Sequence, residues 1–270
     1  PMPLTTLQHL AEFGLYLCDA YGMSECLGAC MFNSRTEYAV GSVGRALPGV
    51  EVKLEHVPDR DQPGEGEILI RGRNIMSGYL YDPKKSAQAI DTEGFLHTGD
   101  VGRVDSIGFY YITGRIKELI VTAHGRNIAP LPIEMEIKKE CPALSNVILI
   151  GDNRRLISVL VTLKCDLASD GRPTSQLYGP ALLVNPAITT VEQAINDTQW
   201  SDYIRSGIER ANEKAPVAAC EVQLFRILPV ELSVSGGELT VNLKLCRPLI
   251  LSKYKELIDK MYSESDLPSP

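Results

Sequence analysis

The chain of 270 residues has no long apolar run: its longest, such as Ile157 to Leu163, stops far short of the roughly 20 residues a helical membrane span needs. No basic-then-apolar leader opens it. Basic charge is not in excess, since 27 Lys+Arg against 34 Asp+Glu leave a formal net charge of -7, which argues against nucleic acid as a main partner. The seven cysteines are odd in number and scattered, a usage that suits a reducing compartment better than a disulfide framework. These absences point to a soluble, intracellular protein. His9, His56, His97 and His124 lack metal-ligand spacing and are expected at the surface or in packing, while Cys26 and Cys30, with the wrong gap for a zinc or redox pair, are expected to face the core. Gly22-Met-Ser-Glu-Cys26 lacks the second glycine of a hydrolase elbow. Asn196-Asp-Thr198 matches a glycosylation acceptor, but the cysteine usage speaks against a secreted chain. There is no internal repeat and no low-complexity block.

What is present suffices for a sizeable core: 44% of residues are hydrophobic, and a prior of roughly 150 residues per domain allows one or two domains. Residues Thr5 to Phe13 read as an amphipathic stretch, and Leu15 to Asp19 as a buried strand with no partner before it. Pro1-Met-Pro-Leu4 carries no start context, so a piece of a longer protein is expected. The strand leads into Tyr21-Gly-Met-Ser-Glu25 at what is expected to be the carboxyl edge of a sheet. There an aromatic face stacks a nucleobase and a carboxylate holds magnesium, or the segment is an ordinary turn with a buried tyrosine.

From Gly41 the pattern changes to short β segments at Val50–Leu54, Glu67–Arg71 and Phe95–Val101, with turns at Pro63–Gly66 and Asp105–Gly108. Asn74 is expected to cap a brief helix through Ser77, and Asp82 with Pro83 to cap another carrying Lys84-Lys85 on a solvated face. Regular short strands predict a small β-barrel-like subdomain over about 41–113. The stretch Phe109-Tyr-Tyr-Ile-Thr-Gly114-Arg-Ile-Lys-Glu-Leu-Ile-Val121 joins two apolar segments at a charged, uncovered dipeptide, Lys117-Glu118, and reads as a hinge. Beyond it come a helix over Pro132–Glu140, whose Lys138-Lys139 is read as a solvated face, and a hairpin across Gly151–Asn153. A surface excursion over Lys164–Pro186 follows, then two helical stretches, a strand at Glu221–Leu228, a turn at Ser233–Gly237, a closing helix and a frayed tail from Ser263.

Taken together, Tyr21-Gly-Met-Ser-Glu25, Gly66-Glu-Ile-Leu-Ile-Arg-Gly72 with Gly78-Tyr-Leu80, His97-Thr-Gly-Asp100, and Thr113–Ile120 with Gly125-Arg-Asn-Ile128 resemble, in order and spacing, the motifs of the adenylate-forming enzymes. That superfamily comprises acyl-CoA synthetases, luciferases and peptide-synthetase adenylation domains. Leu160-Val-Thr-Leu-Lys-Cys165, Gly236-Gly-Glu-Leu239, Lys244-Leu-Cys-Arg247 and Tyr254–Tyr262 are similar to the bubblegum-type long-chain acyl-CoA synthetases. The resemblance implies an α/β plus α+β fold: residues 1–116 end the large AMP-binding domain, and residues 117–270 form a small mobile C-terminal domain. It also implies ATP with Mg2+, a fatty acid and coenzyme A as reactants in a two-step ligation, in the cytoplasm or peripheral on an intracellular membrane. By the same correspondence Tyr21 stacks on adenine, Ser24 lies near phosphate and Glu25 holds magnesium. Asp100 accepts from the ribose hydroxyls, Arg115 reaches the ribose, Lys117 is the pivot and Gly125 lets coenzyme A pass.

Most of the superfamily carries Gly-Lys in a C-terminal loop, whereas here Gly236-Gly237 precedes Glu238; the catalytic role therefore passes to Lys244, the alternative being an exposed turn lysine. Nothing before Tyr21 resembles the superfamily's phosphate loop. A non-catalytic adenylate- or partner-binding remnant, and an adenylating relative using another acid, are the competing readings. The closing helix has a polar face of mixed sign and is expected to dock on its own domain, with peripheral membrane contact as the alternative.

Overall fold

The computed structural model describes residues 4–58, 60–215 and 220–265, so Pro1 to Pro3 and the tail beyond 265 lie outside the described residues. The chain forms two compact units, Pro1–Leu119 with Arg126–Leu131, and Ile120–Gly125 with Pro132–Pro270. No helix among the described residues is long and apolar enough to cross a membrane.

The first unit opens with helix α1 (Leu4–Glu12), which matches the amphipathic stretch. The expected strand at Leu15–Asp19 is not formed. Strand β1 is instead Ala20–Met23, pairing antiparallel with β2 (Gly28–Phe32), which continues to β3 (Arg45–Ala46). The register marks the shift: pairing starts at Ala20 opposite Phe32, and of the run before it only the Asp19 carbonyl, accepting from the Asn33 amide at 3.0 Å, bonds this hairpin among the described residues, leaving Leu15 59% and Tyr16 55% exposed. The Tyr-Gly motif therefore lies inside an antiparallel hairpin rather than at the carboxyl edge of a parallel sheet. Gly22 is obligatory there, because a Cβ would sit 1.6 Å from the carbonyl oxygen of Gly28 on the facing strand.

A second sheet is an antiparallel meander of β4 (Val50–Glu55), β5 (Glu65–Gly72), β6 (Leu96–Val104) and β7 (Tyr110–Arg115). It is open. Four strands are too few to close, since a barrel filled by its own side chains takes about eight, and the barrel-like expectation is corrected accordingly. Ile68, Leu69 and Ile70 on β5 are fully buried in succession, so this strand is covered on both faces. Ile68, Ile70 and Leu96 pack with Cys26, Cys30 and Met31, which fastens the β1–β2 hairpin to the meander. Both cysteines face the core as expected. No helix forms at 74–77; Asn74 Nδ2 instead donates to the Cys26 carbonyl at 3.1 Å. Helix α2 (Pro83–Ala89) follows its cap as read, with Asp82 accepting from the Lys85 amide.

Short strands β8 (Ile120–Val121) and β9 (Asn127–Ile128) precede helix α3 (Pro130–Glu140). The second unit is built on β10 (Leu144–Ile150) and β11 (Ile157–Leu163), the expected hairpin. The surface excursion contains a small hairpin of β12 (Cys165–Leu167) and β13 (Pro173–Leu177), and then come helices α4 (Val191–Ile195) and α5 (Thr198–Asn212). Asp197 of the acceptor-like triplet is the N-cap of α5, accepting from the Trp200 amide. Strand β14 (Val222–Ile227) then pairs parallel with β11. The chain closes with two helices rather than one, α6 (Arg247–Lys253) and α7 (Lys255–Ser265), so the expected fraying at Ser263 is replaced by helix as far as Ser265.

All seven residues of β11 are buried, and each large aliphatic side chain so placed contributes about 1.5–3 kcal/mol. Ile148, Leu160, Ile250, Ile258 and Met261 form one cluster that seats α6 and α7 on the sheet. On the other side α5 approaches closely enough that a Cβ at Gly207 would lie 2.0 Å from Cys141 Sγ. Lys214 bridges Glu136 and Glu140 of α3 at 2.6 Å each; with Arg210 at 2.8 Å it holds the Glu140 carboxyl down at about 2.

Candidate functional site

In the first unit, residues from three separate motifs converge on Asp100. Antiparallel pairing of β6 with β7 sets Asp100 opposite Arg115, and Arg115 Nε donates to Asp100 Oδ1 at 2.9 Å. The Tyr21 hydroxyl donates to the other oxygen, Oδ2, at 2.6 Å. Burial, reinforced by the Asp100 charge, pushes the Tyr21 phenol above its ordinary range, so it stays a donor. Asp100 is buried, whereas the Arg115 side chain is 57% exposed and presents its remaining donors outward. Thr98 completes the arrangement: its Oγ1 donates to the Ile68 carbonyl at 2.7 Å and accepts from the Asp100 amide at 3.1 Å. A carboxylate has about four acceptor positions, and two are used by Tyr21 and Arg115.

Glu25 follows in a short 3-10 turn, Ser24–Cys26, with Ser24 exposed and its hydroxyl unbonded among the described residues. Among the described residues the half-exposed Glu25 side chain is held at one oxygen only, Oε1, which accepts from the Tyr79 hydroxyl at 2.9 Å. Its backbone oxygen accepts from the Met76 amide at 2.8 Å, which ties the turn to the loop after β5. Leu27 ends the turn in the left-handed region, φ 62°, with its side chain 87% exposed. That backbone costs a branched residue about 1 kcal/mol or more and returns no packing. Leu27→Gly is therefore expected to raise stability by ~0.5–1 kcal/mol, read as a higher urea midpoint at unchanged slope.

Lys117 lies exposed in a 3-10 turn, Ile116–Glu118, and its ammonium has no partner among the described residues. Gly125 and Lys244 belong to the second unit. Gly125 has φ 73° with open space where a Cβ would be, so the backbone itself asks for glycine. Lys244 closes a tight turn in which the Thr240 amide donates to its carbonyl at 2.8 Å and Thr240 Oγ1 accepts from its amide at 3.1 Å. Its exposed ammonium is unpaired among the described residues, as are the side chains of Val241 and Leu243 beside it.

Glu238, which follows Gly236-Gly237, is turned inward: it is buried and paired with Lys253, and its carbonyl accepts from the Cys246 amide at 2.8 Å. Arg247 is equally engaged. It pairs with the buried Glu134 of α3 at 2.5 Å, and Glu134 also accepts from the Leu149 amide at 2.6 Å. The Lys244 turn is thus fastened at both ends to the body of its unit.

Residue spacing missed three contributors, Tyr79, Thr98 and His97. All three stand inside quoted motifs, and for Tyr79 and Thr98 a hydroxyl beside a glycine turn was the available signal. His97 comes together with Glu55 and Glu67 only because β4, β5 and β6 are neighbours, their ligand atoms lying within 4.8 Å of one another. His97 Nδ1 is 3.3 Å from Glu67 and Arg60 is 4.0 Å from the same carboxylate, so a guanidinium already supplies cationic charge there.

The family described as AMP-binding enzyme matches residues 1–80, and the AMP-binding enzyme C-terminal domain matches residues 117–177. The chain belongs to the AMP-binding enzyme family. Among adenylate-forming relatives, the long-chain-fatty-acid–CoA ligase ACSBG1 of Mus musculus is 42% identical over 271 residues, covering 98% of this chain and 37% of its own length. ACSBG2 of Homo sapiens is 35% identical over 269 residues, covering 97% of this chain and 40% of itself. The chain thus spans well under half the length of these relatives. In fold it is similar to the adenylation domain of a Mycobacterium chelonae carboxylate reductase, with TM-score 0.73, 22% identity, and 97% of this chain and 37% of that one covered. The O-succinylbenzoate coenzyme A synthetase of Bacillus subtilis, in complex with ATP and magnesium ion, matches with TM-score 0.62 and 22% identity over 92% of this chain and 44% of that one. Both are mixed α/β adenylate-forming folds.

Proposed function

We propose that the chain is the C-terminal part of a long-chain-fatty-acid–CoA ligase. Residues 1–116 close its large AMP-binding domain, and residues 117–270 form a small mobile domain that turns about Lys117. The division of the compact units after Leu119 supports a pivot at that point. In the first half-reaction a fatty carboxylate oxygen bonds the α-phosphorus of ATP and pyrophosphate leaves. In the second, the deprotonated sulfur of coenzyme A bonds the acyl carbon, AMP leaves, and a thioester remains.

Neither step needs a protein nucleophile; both need positioned charge. Tyr21 offers its ring to adenine, Asp100 and Arg115 bind the ribose, Ser24 lies by phosphate, and Lys244 neutralises charge growing at the α-phosphate. Gly125 gives coenzyme A a path free of side chains. Magnesium, when bound, offsets the repulsion between carboxylate and triphosphate. Glu25 suits it, because magnesium usually takes one or two carboxylates plus phosphate oxygens, and Glu25 has an oxygen with no protein partner among the described residues.

The observation that carries this reading is the 2.6 Å contact of Tyr21 with Asp100, with Arg115 on the second oxygen, which unites three motifs in one polar patch. Palmitate-driven ATP–pyrophosphate exchange tests it, using the chain as given and a form extended to the length of its relatives. Exchange in the extended form is expected. Silence in both, with AMP still bound, would overturn the catalytic reading in favour of a binding remnant.

A further inference from the structure

Tyr79 sits in the loop between β5 and α2, held more tightly than a loop residue needs to be. Gly78 before it has φ 147°, the Tyr79 amide donates to Ser86 Oγ at 2.8 Å, and Ser86 Oγ in turn donates to the Asp82 carbonyl at 2.7 Å. The Lys85 ammonium lies 4.1 Å from the centre of the Tyr79 ring. A cation on that face draws on the ring's electrons and strengthens the hydroxyl as a donor. From this anchored position the hydroxyl reaches Glu25, 54 residues away in sequence, at 2.9 Å.

We propose that Tyr79, backed by Lys85 and Ser86, is a positioning residue for magnesium: it locks Glu25 through Oε1 and leaves Oε2 as the oxygen that takes the ion. This rests on Glu25 being the magnesium ligand of the proposed function. Magnesium demands near-ideal octahedral geometry at about 2.0–2.1 Å, so a carboxylate that rotates in its site is a poor ligand and a fixed one a good ligand. Outer partners that orient a metal ligand are typically worth about 10–100-fold in metal affinity. Glu25 sits in a short turn beside a left-handed residue and has no other side-chain partner among the described residues, so Tyr79 alone supplies that restraint.

The test uses the extended protein, with Mn2+ as a paramagnetic probe titrated in the presence of ATP, and AMP binding measured without metal. Tyr79→Phe removes one oxygen and keeps the ring under Lys85. It is expected to weaken Mn2+ in the ATP complex about tenfold or more while leaving metal-free AMP affinity and the melting temperature unmoved. The double variant Tyr79→Phe/Glu25→Gln is expected to bind Mn2+ no more weakly than Glu25→Gln alone, since both changes remove one interaction. Unchanged Mn2+ affinity, additive losses, or a parallel fall in AMP affinity would each overturn the positioning role. Wild-type protein that binds AMP but shows no ATP-dependent Mn2+ site overturns the assignment of Glu25. Wild-type protein that binds no nucleotide overturns the proposed function itself.

Discussion

Replacing Lys244 by alanine in the extended protein is expected to lower palmitate-dependent ATP–pyrophosphate exchange by about 10²–10³-fold, the usual loss when one preorganised charge partner of a transition state is removed. Thioester formation from pre-made acyl-adenylate is expected to remain mostly intact, because the α-phosphate has by then lost its pyrophosphate. The structure makes this a clean experiment. The turn that carries Lys244 is closed by its main chain and by Thr240, so truncating the side chain removes no structural bond. Its exposure keeps the stability change within about 0.5 kcal/mol. Parallel assays of the two half-reactions decide the matter: equal losses in both, or none, would transfer the role to another lysine.

The second large effect concerns stability. Glu134→Ala takes from the Arg247 guanidinium, whose side chain is only 16% exposed, its carboxylate partner, leaving it the Leu149 carbonyl at 3.4 Å, and orphans the Leu149 amide at the same stroke. Breaking a buried pair from one side costs about 3–5 kcal/mol. For a unit of this size that corresponds to a melting temperature lower by roughly 10 °C. Glu134→Gln, which keeps an acceptor for the Leu149 amide, is expected to lose less. Calorimetry on the whole chain reads both variants, and an unshifted transition for Glu134→Ala would show that Arg247 finds compensation elsewhere.

Local chemistry made much of the fold legible. The Asp82-Pro83 cap, the Asp105–Gly108 turn and the hairpin across Gly151–Asn153 were all readable, because each is decided within a few residues. The strand misplaced at Leu15–Asp19 shows where such reading fails. Those residues are apolar enough for a strand, yet strand identity is settled by what pairs, and β2 pairs only from Ala20 onward. The open meander was misjudged for a related reason: strand spacing announces turns but not whether the first and last strands meet. The site divides in the same way. Residue types and motif order named Tyr21, Asp100 and Arg115, but the contact that joins Tyr21 to Asp100 spans 79 positions, and Glu134 lies 113 positions from Arg247. Tyr79 stood within a quoted motif without a role, because its task is defined by a partner on another loop.

The turn around Lys244 has a further consequence, for how freely its sequence can drift. Its backbone is closed on itself, and it is moored by Glu238 to Lys253 on one side and by Arg247 to Glu134 on the other. Val241 and Leu243 at its tip are 83% and 70% exposed and lend nothing to the unit's interior. Placement of the ammonium and composition of the tip are thus decoupled: the moorings must be inherited together, while Val241 is open to substitution, to a longer side chain, or to attachment of a reporter group, and Leu243 to any residue that accepts its left-handed backbone at φ 57°, without cost to the scaffold.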